Sequence, residues 1–144
     1  MAALHEQYCS GADAVARFVT VYIEEAHARD EWWLPDSPEA ADRRSIAAHR
    51  TIDDRLAAAQ RFRNHAEASF PALGGPDAPL LCDSMAGHVV DRYGAYPERL
   101  FVLLDGRVAY VGGRGPFGYK LDEVQYWLAS RFGVRGPNVA ACSS

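Results

Sequence analysis

A chain of 144 residues can build one domain with a substantial core, and is too short for two comfortable ones. Hydrophobic residues make up 49% and charged residues 24%, the proportions of an ordinary globular protein rather than a disordered or fibrous one. The net charge is −4 and only Arg43-Arg44 are adjacent bases, so the basic face that a phosphate backbone requires is missing and nucleic acid is not an expected partner.

No apolar run approaches the roughly 20 residues that span a bilayer. Met1-Ala2-Ala3-Leu4-His5-Glu6 lacks the basic start and apolar centre of a signal peptide. The expectation is a soluble, cytoplasmic protein without a membrane segment. Cys9, Cys82 and Cys142 form neither a Cys-x-x-Cys pair nor a zinc spacing. Cys82, inside the apolar run Pro79-Leu80-Leu81-Cys82, reads as a small buried residue. No two histidines stand at a ligand spacing with a third partner, so no metal is expected.

Taken in order, Met1 to Tyr8 reads as the end of a helix that Gly11 breaks. Arg17 to Ile23 is a strand, and its apolar, β-branched run Val19-Thr20-Val21-Tyr22-Ile23 suits a position covered on both faces. Two carboxylates and an imidazole follow at once, Glu24, Glu25 and His27, where open α/β sheets commonly place their sites. Ala28 to Ala48, with Trp32-Trp33 and two prolines, has no clean period and reads as a long, partly ordered connection. Thr51 and Asp54 form a relative of the capping box. From there Ile52, Leu56, Ala59, Phe62 and Ala66 make the apolar stripe of a helix reaching about Phe70. A short buried strand at Leu80–Cys82 and a short helix over Met85–Tyr93 come next. Asp105-Gly106 then joins two strands as a hairpin, and Leu121, Val124, Leu128 and Phe132 stripe a final helix.

One glycine-rich stretch needs separating from this plan. Gly113-Arg114-Gly115-Pro116-Phe117-Gly118 spells the dinucleotide pattern Gly-x-Gly-x-x-Gly. That pattern needs a βαβ unit and an acidic residue about 20 positions on. Here the preceding strand is a hairpin arm, the chain ends soon after the helix, and Pro116 removes a backbone N–H from any phosphate cradle. No dinucleotide is expected.

The element order matches an α/β, thioredoxin-like layout, a central mixed sheet with helices on both faces, with its first strand missing. Pro97, just before the first hairpin strand, stands where such folds hold a cis proline. Residues 1–134 are expected to form the single domain and 135–144 a flexible tail.

With the elements placed, the chain resembles the iodothyronine deiodinases, most nearly the type 3 members, from about Val15 to Phe132. Four stretches carry the likeness: Val21-Tyr22-Ile23-Glu24-Glu25-Ala26-His27, His49-Arg50-Thr51-Ile52-Asp53-Asp54-Arg55-Leu56, Tyr93-Gly94-Ala95-Tyr96-Pro97-Glu98-Arg99-Leu100, and Gly112 to Tyr119 followed by Glu123-Val124 and Trp127-Leu128. The resemblance implies that 28–50 is an insertion in the domain. It implies reductive removal of iodide from an iodothyronine or related iodinated phenol. It implies no bound cofactor, an external thiol reductant as co-substrate, and pairing as a homodimer. It implies that Tyr22, Glu25 and His27 belong to a proton-handling network, His27 being the group that titrates near neutrality. Neighbours on a strand face opposite ways, which ranks Glu25 above Glu24. His49 and Arg114 are implied to hold the two ends of an elongated ligand, and Tyr96 to line the same cleft. His5, His65 and His88 match nothing in the pattern and read as surface residues.

The pattern's selenocysteine or cysteine, at the end of the missing strand, is not matched: gapless extrapolation puts it a few positions upstream of Met1, and Cys9 lies after the helix. The chain is therefore expected to be inactive without that nucleophile. Two other functions stay open, a non-catalytic thioredoxin-fold binding protein and a thiol peroxidase-like oxidoreductase.

Overall fold

The structure, a computed structural model, describes residues 2–9, 14–31, 46–69 and 78–133. Trp32-Trp33, most of the connection around them, Cys142 and the tail lie outside the described residues. The elements are α1 (Ala2–Cys9), β1 (Thr20–Tyr22), α2 (Ile52–Ser69), β2 (Leu80–Cys82), α3 (His88–Tyr93), β3 (Arg99–Leu104), β4 (Arg107–Arg114) and α4 (Leu121–Phe132). The α/β class is as expected.

The hairpin forms where the turn chemistry puts it. Asp105 and Gly106 both take positive φ, 51° and 73°, the left-handed geometry that matches the twist of the flanking strands. β4 has eight residues against six in β3, and the ladder takes up the difference at two irregularities, between Arg99 and Phe101 and between Val102 and Leu103. Leu100, Val102 and Tyr110 pack on the core built by Leu4 and Tyr8 of α1 with Val124 and Leu128 of α4. Each such side chain, fully buried, contributes roughly 1.5–3 kcal/mol. Tyr110 also donates its hydroxyl to Glu123 Oε2 at 2.8 Å, fastening the first turn of α4 to β4. Burial and that carboxylate push the Tyr110 phenol up to about 12.

At the other end, the start of α2 is held as its sequence predicts. The Asp54 carboxylate accepts the N–H groups of Arg50 and Thr51 at 3.0 and 2.8 Å, and Thr51 Oγ1 accepts the Asp54 N–H at 3.2 Å. The buried face of α2 keeps Ala59, Phe62 and Ala66 of the predicted stripe but is rotated away from Ile52 and Leu56 at its start. Ala58, Ala59, Ala66 and Arg55 are buried and Phe62 is half-buried, while Ile52 and Leu56 are 41% and 49% exposed. Small alanines let the helix approach closely, and the anchoring of Arg55 described below sets its rotation.

The predicted single mixed sheet is found as two ladders. β1 and β2 pair in parallel, Thr20 with Leu80, Val21 with Leu81 and Tyr22 with Cys82. β3 and β4 pair antiparallel, and among the described residues no ladder joins the two pairs. The β2 strand is less buried than its apolar run suggests, because Leu81 is 52% exposed and Cys82 half-buried. His5, read as a surface residue, is half-buried and stacks on Phe18, ring centroids 5.8 Å apart. No helix among the described residues is long and apolar enough to cross a membrane.

Candidate functional site

The end of β1 and the start of α2 build one cluster. Tyr22, the last residue of β1, donates its hydroxyl to Glu25 Oε2 at 3.0 Å. Its ring lies between His49 and Phe62, each with centroids 5.9 Å away and tilted by 45° and 50°. Burial first, then the charge and hydrogen bond of Glu25, push the Tyr22 phenol far above its ordinary range, so it stays a protonated donor. Glu24 is exposed while Glu25 is half-buried in the loop that follows β1.

His49 precedes the capping box by two residues, so its backbone is held by the rigid start of α2. Both ring nitrogens are enclosed and have no hydrogen-bond partner among the described residues. Burial is the first cause that lowers its pKa and the charge of Arg55 the second, with Glu25 and Asp54 opposing. The imidazole is therefore neutral under ordinary conditions and offers one N–H and one lone pair, both unused.

Tyr96, beside the cis Tyr96–Pro97 peptide, donates its hydroxyl to the Ala26 carbonyl at 3.3 Å. That contact ties the loop before β3 to the half-buried turn carrying His27. Arg114 is exposed at the end of β4, opposite Arg99 in the ladder. An added Cβ at Gly94 would stand 3.1 Å from Arg114 Nη2 and 3.2 Å from Arg99 Nη1. Of the six predicted site residues, Tyr22, Glu25 and His49 thus meet directly. His27 and Tyr96 are joined to them through the Glu25–His27 loop, and Arg114 sits over the loop leading to Tyr96.

Three residues of this neighbourhood stood outside the predicted site. Arg55 is buried, Asp83 is buried with its carboxylate accepting the N–H groups of Ser84, Val89 and Val90, and Cys82 is the ladder partner of Tyr22. Arg55 lies within the resembling stretch His49 to Leu56, and a charged residue among alanines on a helix face was a further signal for it. Among the described residues no group of three metal-ligating side chains assembles. An open depression along α3, lined by His88, Val89, Asp91, Arg92 and Tyr93, shares no residue with the cluster and brings no acid–base pair like Tyr22–Glu25.

The glycine-rich turn has a mechanical explanation. A Cβ on Gly118 would lie 2.6 Å from the Arg114 carbonyl oxygen, and one on Gly113 would lie 2.7 Å from the Gly118 oxygen. These glycines let backbone pack on backbone behind Arg114, with the Gly118 N–H donated to the Arg114 carbonyl at 2.9 Å. Gly118→Ala is expected to cost about 1–3 kcal/mol by overpacking. A lowered urea midpoint with unchanged slope would register it, and an unchanged midpoint would contradict it.

The family model for iodothyronine deiodinase matches residues 1–132. The chain is similar to a thyroxine 5-deiodinase of Gallus gallus, 44% identical over 114 residues, which is 79% of this chain and 39% of that protein. It is 41% identical over 111 residues to one of Sus scrofa, 77% of this chain and 32% of that protein. It is 42% identical over 113 residues to one of Aquarana catesbeiana, 78% of this chain and 37% of that protein. The chain spans about a third of the length of these curated relatives.

Proposed function

This chain belongs to the iodothyronine deiodinase family, and on that premise we propose that it holds an iodinated phenol and manages the proton of its reductive deiodination. The observation that carries this reading is the enclosed, neutral, unpartnered imidazole of His49 resting on a Tyr22 that is hydrogen-bonded to Glu25. A phenol hydroxyl fits such an imidazole, which can both accept from it and donate to it.

In the reaction, a carbon–iodine bond breaks and a carbon–hydrogen bond forms, and two thiol groups are oxidised to a disulfide with release of iodide and a proton. A soft selenol or thiol takes the iodine from the ring, and the ring carbon takes a proton. His27 delivers that proton, and Glu25, linked to Tyr22, restores it. Tyr96 lines the cleft, and Arg114 holds the carboxylate end of a ligand long enough to reach it. An external thiol, of the kind the cytoplasm keeps reduced, clears the iodide without a bound cofactor, and the protein pairs as a homodimer.

Neither described cysteine suits the part of the nucleophile. Burial raises the pKa of both Cys9 and Cys82, which leaves little thiolate on either. On this reading the selenol or thiol is supplied by a further strand of a thioredoxin-like sheet.

Calorimetric titration with thyroxine and 3,5-diiodotyrosine tests ligand holding, and iodide release with a dithiol tests chemistry. The expected result is binding by Met1–Ser144 without turnover, and turnover once a strand bearing cysteine or selenocysteine precedes it. Failure to bind either iodinated phenol, or peroxide reduction without deiodination by the extended protein, would overturn the reading.

A further inference from the structure

Arg55 is the one buried cation among the described residues, 4% exposed, and no carboxylate pairs with it there. Its Nη1 donates to the backbone carbonyls of Asp83 and Ser84 at 3.3 and 2.6 Å, and its Nε has no partner. The nearby Asp83 carboxylate is occupied by the N–H groups that open α3. A buried charge without a counter-ion is costly, and a well-packed apolar side chain of similar volume is often as good or better for stability. Stability alone therefore does not account for an arginine at this position.

Its place in the fold does. Asp83 and Ser84 directly follow Cys82, the ladder partner of Tyr22, and the His49 ring rests on Tyr22. His49 and Arg55 thus flank the same ends of β1 and β2, six residues apart across the locked start of α2. We propose that Arg55 is a positioning residue for His49: it fastens the turn carrying the imidazole to the β2–α3 connection and sets a fixed positive charge beside it. The inference rests on reading His49 as the ligand-facing group.

The groups facing His49 are Arg55, Arg61 and Asp54 from α2, Glu25 from the loop after β1, and Tyr22 from β1. Burial, Arg55 and Arg61 disfavour imidazolium, whereas Glu25 and Asp54 favour it. The positive charge of Arg55 thereby preserves the lone pair that accepts a hydroxyl, which an imidazolium lacks.

The test is NMR titration of the histidines in ligand-free wild type, Arg55→Met and Arg55→Lys. Wild-type His49 is expected to titrate below the ordinary histidine range. Arg55→Met is expected to raise its midpoint by about one pH unit, the scale of a nearby like charge. Arg55→Lys, which keeps the charge without the two-carbonyl anchor, should stay within a few tenths of wild type. An unmoved midpoint in a folded Arg55→Met protein overturns the proposal, as does a lysine variant that moves as far as the methionine one. Should Arg55→Met not fold, Arg55→Gln, which keeps hydrogen-bond donors without the charge, takes its place, and an unmoved His49 midpoint there overturns the proposal equally. No ligand enters the measurement, so a failure of iodophenol binding and a failure of this role are read separately.

Discussion

Tyr8→Ala is expected to remove about 3–5 kcal/mol of stability, the range for truncating a large buried aromatic. Domains of this size have only about 5–15 kcal/mol in total, so much of the transition should move to low urea. The reason is position. Tyr8 is fully enclosed in the α1–α4 core with Leu4, Val124 and Leu128, and its carbonyl accepts the N–H groups of Val15 and Ala16 at 2.9 and 3.0 Å. The helix therefore anchors both the core and the chain leading into β1. The Tyr8 hydroxyl reaches the Gln125 carbonyl at 3.4 Å, so Tyr8→Phe should cost only about 1 kcal/mol. Urea unfolding followed by circular dichroism separates the two variants, and an alanine variant with the wild-type midpoint would show that α1 does not hold the core.

His49→Ala is expected to weaken binding of an iodinated phenol about tenfold or more, the loss of one well-placed hydrogen bond from an enclosed site. Its pH dependence follows from the depressed pKa. Binding that needs the neutral imidazole should stay level as pH falls to about 6.5, the ordinary value, and decline only below it. Folding follows the same sign. The unfolded chain binds a proton to this histidine that the folded chain resists, so stability is full above the ordinary histidine range and is lost as pH falls from there through the folded value. His49→Asn should abolish that component. Calorimetry across pH and urea midpoints at pH 5.5 and 7.5 check both. Affinity that is unchanged in His49→Ala would remove His49 from the ligand site.

What the sequence by itself determined is local. Asp105-Gly106 dictates the hairpin because those two residues tolerate positive φ, and Thr51 with Asp54 dictates where α2 starts because their hydrogen bonds span three residues. The apolar run into Glu24-Glu25 placed β1. Tyr22 and Glu25 meet because the strand ends at Tyr22 and the chain turns, a contact that strand alternation would have forbidden.

The tertiary structure decided whatever depends on distant partners. The stripe of α2 holds at Ala59, Phe62 and Ala66, but at the first turn Arg55, which donates to the carbonyls of residues 83 and 84, faces inward in place of Ile52 and Leu56. His49 meets Tyr22 across 27 positions, and His5 meets Phe18 across 13, neither of which periodicity can express. The sheet came out as two ladders because strand pairing is a matter of which backbone edges meet, and three-residue strands such as β1 and β2 carry too few backbone groups to announce their neighbours in advance.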